Sequence, residues 1–144
     1  EKVIFDLQCS IKELSNGLFD NCIKLKKIIL PNSVERISNF VFNNCTSLKT
    51  IKLPNSINKL DIKCFSDSGL NSIIIPYLVT IIPEFAFQNC KSLKDIELSE
   101  NLQHINYRAF QKCIALTTIT IPKNIKKIHK EAFIGCTNLK TVII

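Results

Sequence analysis

The 144-residue chain has no methionine, no tryptophan, three glycines, two histidines, two arginines and no long apolar run. Each scarcity removes a class of function. A phosphate-cradling loop needs clustered glycines, and Gly17, Gly69 and Gly135 stand far apart. A membrane-crossing helix needs ~18 apolar residues in succession. The longest candidates here, around Ile73 to Ile75 and Ile81 to Ile82, are broken by Pro76 and Pro83, so no membrane span is expected. The seven cysteines include no Cys-x-x-Cys pair, which argues against a zinc ribbon or a thioredoxin-like redox motif. His104 and His129 occupy different columns of the repeat set out below and should point to different faces, whereas a metal or acid/base site needs groups that converge. Asp95, Glu97 and Glu100 form one acidic group, of the kind that is ordinarily solvated surface. The expectation is a protein that is not an enzyme and carries neither cofactor nor metal.

What the chain has in abundance is order. Phe19, Phe42, Phe65, Phe87, Phe110 and Phe133 are spaced by 23, 23, 22, 23 and 23 residues. Cys22, Cys45, Cys90, Cys113 and Cys136 follow three residues after five of them, and Leu25, Leu48, Leu93, Leu116 and Leu139 three residues later again. A fixed period in this range marks a solenoid, whose units bury their apolar faces only by stacking on one another. One unit reads Leu48-x-x-Ile51-x-Leu53-Pro54-x-x-Ile57-x-x-Leu60-x-x-x-Cys64-Phe65, and the first, partial copy places Phe5, Leu7, Ile11, Leu14, Leu18 and Phe19 in the same frame. Alternation in Ile-x-Leu predicts a half-buried strand, and the β-branched residues around it suit the pleat. Proline at 31, 54, 76 and 122 ends that strand. A second, shorter extended segment follows, as in Val34-x-x-Ile37. The i, i+3 spacing of Ala-Phe-x-x-Cys-x-x-Leu then predicts one tight helical or 3₁₀ turn.

These residues resemble the BspA-like (Treponema pallidum-type) leucine-rich repeats, whose Leu-x-x-Ile-x-Leu-Pro, Leu-x-x-Ile and Ala-Phe-x-x-Cys pattern recurs here over nearly the whole sequence. The resemblance implies an α/β solenoid, mostly β: a right-handed leucine-rich-repeat superhelix with a parallel sheet on the concave face and short 3₁₀ or helical turns. It also implies a protein-binding role, with adhesion at a cell surface, and no catalysis. Residues 1–144 form a single domain of about six repeats of 22 to 23 residues. The missing methionine, the start at Glu1 and the stop at Val142, Ile143 and Ile144 in mid-repeat suggest a piece of a longer array. Its uncapped ends would allow end-to-end or edge self-association. A cell-surface or extracellular location is expected, with a cytoplasmic one as the alternative, because an excised piece cannot show a leader sequence.

Five cysteines share one column, so the thiols should form an inward ladder. Neighbouring rungs ~4.8 Å apart with parallel side chains fit poorly to disulfide geometry. Small buried apolar fillers are expected, with Cys64 buried in the alanine slot. Cys9, in the polar turn slot used by Asn32 and Asn55 in later copies, is the thiol expected to react. Asn44-Cys45-Thr46 matches the N-glycosylation pattern, but its buried central cysteine makes the match look accidental.

The net charge of +7 rests on seventeen lysines. Lys26, Lys49, Lys94 and Lys140 share one column, and Arg36, Lys59, His104 and Lys127 another. Stacked, they would make basic stripes that attract polyanions. Base-stacking aromatics are missing from both columns, which disfavours nucleic acid; a sulfated glycan or an acidic protein surface remains an alternative partner. A protein partner fits the outward slot between the two core residues of the strand. Ile29, Lys52, Ile74, Glu97 and Thr120 occupy that slot, and Tyr77 follows Pro76 where the third unit is one residue short. These six residues are the candidate binding site. The competing readings are a rigid, inert spacer, and local repacking in which Tyr77 and Phe85 fill space left by the missing residue.

Overall fold

The computed structural model describes residues 1–6 and 8–144; Leu7, expected inward in the first unit, lies outside the described residues. About six turns of chain stack into a parallel β-solenoid, with no helix among the described residues. One face carries β1 (Lys2–Ile4), β3 (Lys27–Ile29), β6 (Ser72–Ile74), β8 (Asp95–Glu97), β10 (Thr118–Thr120) and β12 (Thr141–Ile143). A second face carries β2 (Glu13–Leu14), β4 (Arg36–Ile37), β5 (Lys59–Leu60), β7 (Ile81–Ile82), β9 (His104–Ile105) and β11 (Lys127–Ile128). All pairings are parallel and join equivalent residues, such as Ile73 with Ile96 and Leu14 with Ile37. The first face forms the ladders β1-β3, β6-β8 and β10-β12, and the third rung joins through a single bridge from Thr50 to Ser72. The second face forms β2-β4-β5 and β7-β9-β11. Its break falls between Lys59 and Ile81, where the spacing drops to 22 residues.

The core is the stack of inward columns. Phe42, Phe65, Phe87 and Phe110 are fully buried, and the six rings from Phe19 to Phe133 stand in one file. Consecutive centroids lie 5.2 to 5.6 Å apart, with interplanar angles from 12° down to 2°. Each ring therefore buries its faces against the rungs on either side, which is large apolar area per residue. Phe5 packs edge-on against Phe19 at 6.5 Å. The first unit differs from the expected frame. Val3, not Phe5, pairs with Ile28, so two extra residues fall between the strand and Ile11. A two-residue shift keeps the same side chains inward, which is why the alternation alone admits both frames.

The expected helical turn is a stacked turn. Cys22 N–H donates to Phe19 O and Leu25 N–H to Cys22 O, the local i to i+3 bonds foreseen. The intervening donors go elsewhere: Phe19, Phe42, Phe65, Phe87 and Phe110 donate to Val41, Cys64, Ala86, Ala109 and Ala132 on the next rung. Donors spent between rungs cannot close i to i−4 bonds, so no helix forms. Left-handed backbone on both sides of each phenylalanine enforces this. Two residues after it come Asn21, Asn44, Asp67, Asn89, Lys112 and Gly135, all at φ between 54° and 75°. Two residues before it come Gly17, Phe40, Lys63, Phe85, Arg108 and Glu131, at φ between 52° and 64°. The first set is mostly Asn, Asp and Gly, which tolerate that region; the second mostly is not. Side-chain stacking offsets part of the strain in the second set. Lys63 Nζ sits 5.7 Å from the Phe40 ring and 5.5 Å from the Phe85 ring. Arg108 lies 4.8 Å over Tyr107 and donates to Glu131 at 2.6 Å. That guanidinium holds the Glu131 carboxyl below its usual range.

All seven cysteines are free thiols. The ladder is more than filler, because Cys45, Cys90, Cys113 and Cys136 donate through Sγ to the carbonyls of Phe19, Phe65, Phe87 and Phe110 on the preceding rung, at 3.0 to 3.2 Å. Burial pushes the Cys45 and Cys90 thiols up to about 12 and raises Cys64 further. Cys9, Cys22 and Cys136 are all half-buried, so accessibility does not single out Cys9. In the shortened third unit Ser68 takes the ladder slot, with its Oγ 3.3 Å from Cys90 Sγ. Gly69 makes the shortening workable, since a Cβ there would sit 2.0 Å from the Thr46 carbonyl oxygen. Asn44 Nδ2 donates to Asn21 Oδ1 at 2.8 Å and Cys45 is buried, leaving the glycosylation match with an engaged amide.

Two stability measurements follow. Phe87→Ala removes a ring sandwiched on both faces and should cost roughly 3–5 kcal/mol in denaturant unfolding, whereas Lys94→Ala on the exposed surface should cost less than about 0.5 kcal/mol. Similar costs for the two would contradict the assigned faces. Gly69→Ala should cost roughly 2–3 kcal/mol or more, because a backbone carbonyl cannot yield. Gly17→Ala meets only Asp20 Cβ at 3.7 Å and should show just the ~1 kcal/mol of left-handed strain. Equal effects at the two glycines would contradict the close approach at Thr46.

Candidate functional site

The strand face presents two outward columns, because a strand turns alternate side chains to opposite sides. The first column runs Lys2, Lys27, Thr50, Ser72, Asp95, Thr118 and Thr141. The second runs Ile4, Ile29, Lys52, Ile74, Glu97, Thr120 and Ile143, in the register set by the strand pairs and the Thr50–Ser72 bridge. Five of the six candidate residues therefore share one column, and all five are exposed. Ile74 is 63% exposed, although Ile73 and Ile75 beside it are at 3%. An isoleucine this open, between two buried ones, contributes nothing to the core.

Three depressions of similar size follow one another along this column. The first, about 580 Å³, is lined by Lys26, Lys27, Ile29, Asn32 and Lys52 among others. The second, about 490 Å³, brings Lys52, Asn55, Ile74, Pro76, Asp95 and Glu97 together. The third, about 570 Å³, contains Glu97, Glu100, Thr120 and Lys123. Lys52 belongs to the first two and Glu97 to the last two, so the five column residues line one continuous groove. Tyr77 is 62% exposed but lies outside these linings. It neither fills the gap left by the shortened unit nor meets Phe85, which packs edge-on against Tyr107 at 5.5 Å. The repacking expected of Tyr77 and Phe85 is therefore not what the chain does; Gly69 and Ser68 absorb the missing residue.

Sequence reasoning omitted the first outward column from the site, although Thr50, Ser72 and Asp95 line the central depression as fully as their neighbours. The same two-residue alternation could have found them. It could not have found the stacked Phe40, Lys63 and Phe85 stripe on the turn face, whose residue types share no common chemistry.

Charge sharpens the picture. Of the two basic columns, Lys26, Lys49, Lys94 and Lys140 are exposed and enter no ion pair among the described residues. The other is interrupted and largely neutralised. Ile81 separates Lys59 from His104, and Arg36 bonds Asp61 at 2.6 Å and approaches Glu13 at 3.8 Å. Lys59 lies 3.7 Å from Asp61. The expected second basic stripe does not form, since acidic neighbours within and beside the column take up its charge. Among the described residues, no cluster of His, Cys, Asp and Glu could hold a metal ion, and no helix is long and apolar enough to cross a membrane.

Comparison with known proteins agrees with this architecture. A leucine-rich repeat protein from Bacteroides ovatus superimposes with a TM-score of 0.94 at 29% identity, over 99% of this chain and 37% of that one. The T. pallidum leucine-rich repeat protein gives 0.93 at 28% identity, over 99% of this chain and 68% of that one. A leucine-rich cell surface protein from Faecalibacterium prausnitzii shares the fold, with a TM-score of 0.86 at 24% identity, over 98% of this chain and 46% of that one. The chain thus spans well under two thirds of the Bacteroides and Faecalibacterium proteins. No curated protein matches it by sequence. The BspA-type leucine-rich-repeat region matches residues 6–144 in six copies, and with the stacked rungs and the single file of phenylalanines this makes the chain a member of the BspA-type leucine-rich-repeat family.

Proposed function

We propose that the chain is a non-catalytic protein-interaction module, a right-handed solenoid that presents a concave strand face to a protein partner in adhesion at a cell surface. The carrying observation is the outward column itself. Ile29, Lys52, Ile74, Glu97 and Thr120 line one groove, and the isoleucine at its centre is 63% exposed. Exposed apolar side chains rimmed by charge are the usual composition of a contact surface. Each rung offers only two outward strand residues, so a partner is held by several rungs at once. Leucine-rich repeats generally serve as protein-binding scaffolds, and this family resemblance supports the surface role. Tyr77 stands at the groove's edge, on the turn after Pro76, and would extend the contact.

A second reading has an observation of its own. The exposed, unpaired column of Lys26, Lys49, Lys94 and Lys140 suits a sulfated glycan or another polyanion. Salt separates the two readings, because counterion release makes polyanion binding steeply salt-dependent.

Pull-down from cell extract with the intact chain, compared with the Ile74→Asp/Tyr77→Asp double variant, tests the main reading. Capture of a defined protein should fall at least about tenfold in the variant, since burying one unpaired charge in a contact costs more than ~1.4 kcal/mol. Raising salt from low to moderate should weaken capture only modestly, through screening of the exposed charges at the groove's rim, without the steep loss a polyanion shows. Equal capture by both forms, or loss of the ligand with salt alone, would overturn it.

A further inference from the structure

Resting on that reading, we infer that the groove takes an extended polypeptide segment in which an apolar residue is flanked, two positions away on each side, by charges of opposite sign. The inference comes from how charge is laid out along the strand face. On one side of Ile74 the groove walls carry Lys26, Lys27 and Lys52. On the other they carry Asp95, Glu97 and Glu100, with Lys123 alone of the opposite sign at the far end of the third depression. Thr120, the next residue of the column, is neutral.

These charges are kept free. Five ion pairs form among the described residues, and they use Lys12, Glu35, Glu13, Arg36, Lys59, Asp61, Arg108 and Glu131. Lys52, Asp95, Glu97 and Glu100 enter none of them, although Lys52, Asp95 and Glu97 border the same depression. The groove therefore has a basic end and an acidic end with an open apolar seat between them. A uniformly acidic or uniformly basic ligand would be attracted at one end and repelled at the other. A dipolar ligand is attracted at both, and like-charge contacts reject the wrong arrangement.

Rung spacing sets the length. Lys52 and Glu97 are two rungs apart, or about 10 Å at the ~4.8 Å separation of parallel strands. An extended chain advances ~3.3 Å per residue and turns every second side chain toward the same surface. Residues i, i+2 and i+4 span about 13 Å, and flexible charged side chains close the difference. The apolar residue at i+2 sits on Ile74, the acidic one faces Lys52 and the basic one faces Asp95 and Glu97. The charge order along the solenoid axis is fixed, while the peptide can enter in either chain direction.

Selection from a random peptide phage library on the immobilised intact chain tests this. Lys52→Glu, Asp95→Ser/Glu97→Lys and Ile74→Asp serve as comparisons, and unchanged thermal unfolding shows that each variant is folded. The wild-type groove should enrich peptides with an apolar residue flanked at ±2 by one acidic and one basic residue. Lys52→Glu should enrich basic residues on both flanks, and Asp95→Ser/Glu97→Lys acidic residues on both. A synthetic wild-type-selected peptide should bind Lys52→Glu at least about tenfold more weakly. Peptides that depend on Ile74 yet carry no paired flanking charges, or whose charges do not change with Lys52→Glu, would overturn this inference and leave the protein-binding reading standing. Enrichment that Ile74→Asp leaves intact would overturn both.

Discussion

A rung of this solenoid has two apolar flanks and no means of covering either one alone. The neighbouring rung does so, and the phenylalanine file shows the terms: rings 5.2 to 5.6 Å apart and nearly parallel leave no room for a mismatched register. Everything else follows that spacing. Two faces of short parallel strands and one face of stacked turns all pass hydrogen bonds from rung to rung, with strand partners 23 residues apart, 22 at the third unit and 25 between β1 and β3. The strands themselves are only two or three residues long, too short to be stable singly. Cooperation between rungs holds them, as the nearest-neighbour character of repeat proteins requires.

The same dependence explains where the chain tolerates strain and where it does not. A turn that must hand its amide protons to the next rung needs left-handed backbone on both sides of the phenylalanine, even when the residue there is Phe40, Phe85 or Glu131. Such positions cost on the order of 1 kcal/mol each, small against a buried ring. The stacking of Lys63 between two aromatic rings, and of Arg108 on Tyr107 beside Glu131, returns part of that cost. At the shortened unit, by contrast, the backbones meet so closely that only Gly69 fits. Function is then confined to what the stack leaves over: side chains that point out from the strands and turns, core positions being committed to packing.

That division governs how much the sequence reveals. The phenylalanine, cysteine and leucine columns were legible because identical residues recur at identical intervals. The outward slot holding Ile29, Lys52, Ile74, Glu97 and Thr120 was legible because strands alternate. The Phe-x-x-Cys-x-x-Leu spacing carries the i to i+3 bonds, but it is the same for a helical or 3₁₀ turn and for two stacked turns and so does not choose between them. The Asn21, Asn44, Asp67, Asn89 and Gly135 column did carry a turn signal that distinguishes them. The frame of the first unit escaped because Val3 and Phe5 differ by two residues and face the same way. Tyr77 and Phe85 are near each other in sequence, yet one lies in the turn after Pro76 and the other in a stacked turn beside the phenylalanine file. The groove's polarity, basic toward Lys27 and acidic toward Glu100, emerges only when the rungs are superimposed.

The rung as an interchangeable unit is the central claim, and removing one in phase tests it directly. Deleting residues 94–116 joins Leu93 to Thr117 and takes out 23 residues, one full repeat. The shortened chain should keep its β circular dichroism and a single cooperative unfolding transition, with a lower midpoint for the lost interface. Deleting 94–111 instead, out of phase, should abolish that transition. Loss of cooperative unfolding in the in-phase deletion, or its survival in both, would contradict the account.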